Sequence, residues 1–224
     1  MRGFGEKYES KKKTRKRIDE DTKSNQENLI RKAIQFHREG NLTEASEYYQ
    51  YLISQELEDY RIFSNYGVIL QSIGNLKEAE KLYRKAIKLN PNLAEAHNNL
   101  GNIFREFGEL EKAEIFTLKA IELNPGLVEA YSNMGAILMK NFNRLEEAEI
   151  FTRKAIEINP NFANAHSNLG NILRELGNIE NAELSLRKAI EINPNFAEAY
   201  SNLGRIMKDL EKLTDAEIFT RKAI

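Results

Sequence analysis

Asparagine is the residue type in this sequence whose spacing suggests a chemistry. Asn65, Asn99, Asn133, Asn168 and Asn202 follow one another at intervals of 34, 34, 35 and 34 residues. A carboxamide carries a donor and an acceptor on one side chain, as a peptide group does, so a row of them can hold a main chain without reading its side chains. Beside this row stand Asn98, Asn102, Asn171, Arg105 and Arg174, which would add polar contacts.

Catalysis calls for other groupings. The sequence has no Cys, hence neither a disulfide nor a thiolate metal site. It shows no nucleophile spaced with a base, no clustered metal ligands and no Gly-rich phosphate loop. We therefore read the chain as non-enzymatic, without cofactor or metal. Of its three histidines, His97 and His166 fall where other units of the chain have Phe63, Tyr131 and Tyr200, which makes them packing residues. His37 lies just before a turn and has no evident partner in sequence. Asp19-Glu20-Asp21 resembles the D-x-D of nucleotide-sugar enzymes only in its letters, since no strand surrounds it.

The asparagine interval is the period of the whole chain. Pro91, Pro125, Pro160 and Pro194 are separated by 34, 35 and 34 residues, and each closes a run of an apolar residue, Asn and Pro. A fixed period of this size means repeats that bury their apolar faces against one another. With Ala94 counted as position 1, small residues recur at position 8 (Gly67, Gly101, Gly135, Gly170, Gly204), position 20 (Ala79, Ala113, Ala148, Ala182, Ala216) and position 27 (Ala86, Ala120, Ala155, Ala189, Ala223). Two helices could approach closely there. Larger apolar residues at positions 4, 7, 11 and 17 complete a stripe at helical spacing. The asparagines take position 6, on the side away from that stripe.

Turns and caps punctuate the helices. Gly74-Asn75, Gly108-Glu109 and Gly177-Asn178 mark the turn inside a unit, with Gly suited to the left-handed position after a helix. Asn41-x-x-Glu44 and Asn75-x-x-Glu78 read as N-caps with a reciprocal Glu. Two turns depart from the pattern: Lys140-Asn141-Phe142-Asn143-Arg144 carries one extra residue, and Asp209-Leu210-Glu211-Lys212 has neither Gly nor Asn. These should be the least regular.

A 34-residue unit of this pattern resembles the tetratricopeptide repeat, over residues 26–224. The resemblance implies an all-α, right-handed solenoid, a superhelix of about 5.5 helix–turn–helix repeats. Its units are a degenerate 26–59, then 60–93, 94–127, 128–162 with its one-residue insertion, 163–196 and a truncated 197–224. In such arrays the first helices line the concave side, which puts the asparagines along a groove. The ladder also resembles that of the repeat region of O-linked N-acetylglucosamine transferases, as do AHSNLGNILRELGNIENAE and AYSNLG. In that family the ladder holds protein substrates by their backbone before a separate glycosyltransferase domain. The implied function is a scaffold that grips an extended peptide or protein segment; the alternative is the substrate-recruiting arm of a protein-modifying enzyme whose catalytic domain is not in this chain. A chaperone-tail clamp would call for Lys at position 5, where the sequence has Ser64, Asn98, Ser132, Ser167 and Ser201. The first unit has Arg31 at position 6 and should stand outside the ladder.

Residues 1–25 hold nine Lys and Arg against five Asp and Glu, and the rest 24 against 29, so a basic tail precedes an acidic body. Almost without apolar residues, the tail is expected to be disordered and solvated. Lys11, Lys12, Lys13, Arg15, Lys16 and Arg17 could grip a nucleic-acid backbone, but Phe4 and Tyr8 alone hardly make the stacking platform of a single-strand binder. No apolar run reaches the roughly 20 residues of a membrane span, and the expected location is cytoplasmic. The last unit, ending AEIFTRKAI, lacks a polar capping helix and could self-associate.

Overall fold

The computed structural model describes residues 26–140 and 144–223, and the whole of the basic tail, with Asp19-Glu20-Asp21, lies outside them. The described residues are all-α, twelve helices and no strand. None of these helices is long and apolar enough to cross a membrane. They group into two compact bodies, the first ending at Leu100 and the second beginning at Gly101.

The first body contains α1 (Gln26–Arg38), α2 (Leu42–Ser54), α3 (Tyr60–Ser72), α4 (Leu76–Leu89) and the beginning of α5 (Ala94–Glu106). Its degenerate first unit is a full helix pair. Leu29, Ile30 and Ala33 of α1 share a buried cluster with Ala45, Tyr48, Tyr49 and Leu52 of α2 and with Ile62 and Ile69 of α3. Asp59 caps α3, its carboxylate accepting from the Arg61 backbone N–H at 2.9 Å. The Arg61 guanidinium also reaches back to Glu27 at 2.7 Å; with Arg31 it holds the Glu27 carboxyl down to about 2.

The second body runs on through α6 (Leu110–Leu123), α7 (Val128–Met139), α8 (Leu145–Ile158), α9 (Ala163–Glu175), α10 (Ile179–Ile192), α11 (Ala197–Asp209) and α12 (Leu213–Lys222). The glycine at position 8 sets the distance between paired helices. A Cβ on Gly135 would lie 2.0 Å from Thr152 Oγ1 and 3.2 Å from the Ala148 carbonyl, so only the missing side chain lets α7 lie against α8. Gly170 stands in the same relation to Leu186 and the Ala182 carbonyl. Above these contacts Leu169, Leu173, Leu186, Leu203, Ile206 and Met207 form a continuous core. In α12 no residue is buried.

The turn between the helices of a unit follows one geometry. At Gly177, φ +78°, the N–H of Gly177 bonds the Arg174 carbonyl at 3.0 Å and that of Asn178 bonds the Leu173 carbonyl at 2.8 Å, a Schellman closure. The turn at 209–212, expected to be irregular, has the same closure. Glu211 takes the left-handed conformation, φ +59°, and Lys212 N–H bonds the Met207 carbonyl at 2.9 Å. The other turn expected to be irregular falls on a segment of which 141–143 lie outside the described residues. Helices α2 and α4 start after Asn41 and Asn75 as expected, but neither side chain makes a capping hydrogen bond. In this tight turn Asn75 also closes the preceding helix through its own N–H, and its backbone, φ −83° and ψ 63°, is not in the extended conformation that aims a cap oxygen at the next turn.

Between units, the Asn of each Asn-Pro pair folds the chain back. Asn90, Asn159 and Asn193 accept the N–H two residues on at 3.2, 3.0 and 3.1 Å, and Asn124 does the same for Gly126 at 3.0 Å.

Candidate functional site

Each asparagine at position 6 sits in the middle of the first helix of its unit, fixed there by the apolar residues at positions 7 and 11 that turn into the core. Asn65 and Asn99 belong to the first body and Asn133, Asn168 and Asn202 to the second. Four of the five are half-buried; Asn202 is only 6% exposed.

The amide nitrogens of Asn65, Asn99 and Asn168 are engaged within the protein. Asn65 Nδ2 donates to the Arg61 carbonyl at 2.8 Å. Asn99 hydrogen-bonds the Tyr83 hydroxyl, which itself donates to Gln71 Oε1 at 2.9 Å and therefore accepts from the amide. Burial pushes that hydroxyl above the usual tyrosine range, while the Asn99 bond pulls the other way. Asn168 Nδ2 donates to Ser132 Oγ at 3.0 Å and to the Ser132 carbonyl at 3.2 Å, bolting one repeat to the one before. One repeat further on, Ser167 Oγ and Asn202 Nδ2 are both buried without a partner. They are the same pair of residue types at the same register. In Asn65, Asn99 and Asn168 alike, the carboxamide oxygen accepts no hydrogen bond from the described residues.

The flanking residues divide. Asn98 is 5% exposed, so it is buried rather than set on an open surface. Arg105 donates to Asn102 Oδ1 at 2.6 Å, and Asn102 Nδ2 to Glu106 Oε1 at 3.2 Å, which makes a closed local network. Arg174 is held by Asp209 at 2.7 Å and by Glu175 at 2.9 Å, and the Asp209 bond raises its pKa. Asn171 keeps a buried Oδ1 with no partner. Arg31, in the first unit, pairs with Glu27 at 3.1 Å.

The histidines have structural tasks. The Nε2 atoms of His97 and His166 lie 3.0 and 2.8 Å from the carbonyls of Pro91 and Pro160, so that nitrogen carries the proton and donates to the turn. His37 meets the Tyr49 ring edge-on at 6.3 Å, and burial pushes its pKa down. Sequence reasoning missed Ser132, at position 5, as the partner of the Asn168 amide, although serine recurs at that position in Ser64, Ser132, Ser167 and Ser201.

Paired helices with a glycine at their closest approach, a left-handed turn and an Asx-folded link define a helical-repeat protein. Models of the TPR repeat match residues 67–108 and 170–210, and models of the tetratricopeptide repeat match 94–127, 128–162 and 151–183. These matches join without a break from 67 to 210, and the chain belongs to the tetratricopeptide-repeat family. No curated protein sequence gives a significant match.

Among solved structures, the chain is similar to TTC0263, a thermophilic TPR protein of Thermus thermophilus, with 23% identity over 74% of this chain and 90% of that one and a TM-score of 0.69. It is similar to a tetratricopeptide repeat protein of Parabacteroides merdae ATCC 43184, with 24% identity, 88% and 77% covered and a TM-score of 0.67. A third is YrrB, described as a TPR protein with an unusual peptide-binding site, with 24% identity, 80% and 92% covered and a TM-score of 0.55. At these identities the likeness is one of fold.

Proposed function

We propose that this chain is a non-catalytic scaffold that binds protein, holding an extended segment by its main chain along the asparagine-bearing face of the first helices. The observation that carries this reading is the state of the position-6 amides. In Asn65, Asn99 and Asn168 the nitrogen is tied down by Arg61, Tyr83 and Ser132, which orients the side chain in advance and leaves its oxygen as an acceptor for a guest N–H. The resemblance of the ladder to the repeat region of the O-linked N-acetylglucosamine transferases supports the same mode, and the peptide-binding site ascribed to YrrB supports a peptide as the guest. Such a ladder accepts many sequences, because an acceptor for N–H is indifferent to the side chain beside it.

A net hydrogen bond contributes about 0.5–1.5 kcal/mol, so Asn99→Ala alone weakens a bound segment about tenfold or less. Changing Asn99, Asn133 and Asn168 together to Ala is expected to reduce recovery of partners in a pull-down to background, with helicity by circular dichroism unchanged. Full recovery by the triple variant contradicts the reading.

A further inference from the structure

On the second-helix side of the second body lies a hollow of about 440 Å³, and its origin can be read by comparing two successive repeats. In the last repeat, the Phe219 ring stacks on Tyr200, centroids 6.4 Å apart and planes 25° apart, while the Arg187 guanidinium of the preceding repeat covers it at 5.6 Å. One repeat earlier, the residues at those registers are Ser185, His166 and Arg153. His166 and Arg153 line the hollow in the places of Tyr200 and Arg187, and Ser185 stands where the phenyl ring would be. The remaining walls also correspond. Ile156, Leu169 and Leu184 answer to Ile190, Leu203 and Ile218. Phe151, at the same register in the repeat before, likewise faces a ring, that of Tyr131 at 6.3 Å.

The hollow is thus an aromatic slot without its ring. Ser185 does not need a visitor, since its hydroxyl donates to the Asn181 carbonyl at 2.8 Å. The walls do offer a seat: apolar surface below, an imidazole on one side and a guanidinium on the other. The rim cations are each paired on their own helix, Arg153 with Glu149 and Lys188 with Glu191, both at 2.7 Å; exposed pairs of this kind are weak, and each cation has further donors for the carboxylate of a guest. The slot also opens onto a row of exposed aliphatics at one register of the second helices, Ile115, Ile150 and Leu184, each more than 60% exposed. A row of this kind is uncommon on a surface that meets only water.

We infer that this hollow is a second binding site, separate from the asparagine row, that takes a phenylalanine side chain flanked by carboxylates on a partner polypeptide. The guest ring occupies the place that Phe219 fills in the next repeat. Its neighbouring acidic residues meet Arg153 and Lys188, and its backbone rests on the aliphatic row.

The test is a titration of the full, ¹⁵N-labelled chain with the peptides acetyl-Glu-Phe-Glu-amide and acetyl-Glu-Ala-Glu-amide, read at the amide signals of Leu184, Ser185 and Lys188. The Phe peptide is expected to shift them saturably, and the Ala peptide at least tenfold more weakly. Ser185→Phe, which supplies the ring from within, should weaken the Phe peptide at least tenfold and leave the melting temperature equal or higher. Should that variant lose helicity, Leu184→Glu, at a site 64% exposed, blocks the mouth by charge with the same expected loss. The N99A/N133A/N168A variant keeps the response, which separates this site from the first. Equal response to the two peptides, or an undiminished response in the blocked variant, overturns the proposal. Shifts produced by raising the protein concentration alone would assign the hollow to a second copy and overturn it as well.

Discussion

Position 6 keeps asparagine through five repeats although four of those side chains are only half-buried, whereas position 23, set against a ring in its neighbours, changes from Phe116 and Phe151 to Ser185 and returns to Phe219. Core packing explains neither behaviour. It does not demand an amide on the first helices, where the half-buried position could hold another small polar residue. It does favour an apolar side chain on the second helices, Leu82 in the 60–93 repeat and a ring in its neighbours, and Ser185 alone of the five is polar. The two faces of the helix pair therefore carry information of different kinds: a repeated acceptor on one, a vacancy at Ser185 on the other.

Both faces depend on the spacing of the helix pair, and the largest loss is expected where that spacing is attacked. Gly135→Ala forces a methyl group to within 2.0 Å of Thr152 Oγ1 and should destabilise the second body by about 1–3 kcal/mol in a denaturant titration. Gly126→Ala serves as the control, because its Cβ would meet nothing nearer than Asn124 Oδ1 at 3.4 Å. An equal effect from both would mean that the close approach of α7 and α8 is not what sets the pair.

A smaller change separates the two roles of the amide row. Ser132→Ala removes the hydroxyl that accepts from Asn168 but keeps the Ser132 carbonyl and the carboxamide itself, and should cost about 1 kcal/mol of stability while leaving affinity for a bound segment within about twofold. If that variant loses binding as fully as N99A/N133A/N168A, the amides act by joining repeats rather than by holding a guest. The smallest expected effect lies away from both faces. Glu211 holds a left-handed backbone that costs a residue with a Cβ about 1–2 kcal/mol, so Glu211→Gly should raise stability by up to about that amount. A loss of stability on that change would contradict the turn geometry at 209–212.

Much of this architecture is legible in the sequence. The glycines of position 8, the turn glycines and the Asn-Pro links each name a backbone event, and each event is found where its residue stands. The turn at 209–212 is more regular than its residues suggest because closure of the helix, not the residue type, dictates the left-handed conformation, and Glu211 submits to it. The caps expected at Asn41 and Asn75 do not form for a related reason: in so short a turn one residue serves two helices, and its dihedral angles satisfy the first. Asn98 and Asn202 look exposed on a helical wheel and are buried, because positions 5 and 6 flank the apolar stripe and a single-helix projection leaves out whatever packs beside it. The slot beside Ser185 could have been read from the alternation of Phe and Ser at position 23, but only with the contact between Phe219, Tyr200 and Arg187 to show what the ring does.

The central claim is that carboxamide oxygens accept from the main chain of a guest. Consecutive first helices lie roughly 8–10 Å apart and an extended chain advances about 3.3 Å per residue, so along the second body every third peptide N–H should be engaged. A peptide segment recovered with the intact array, resynthesised with single backbone N-methyl groups at successive positions, tests this directly by isothermal titration. Affinity should fall about tenfold at every third position and little between. Uniform tolerance of N-methylation, with affinity following the side chains instead, would contradict the account.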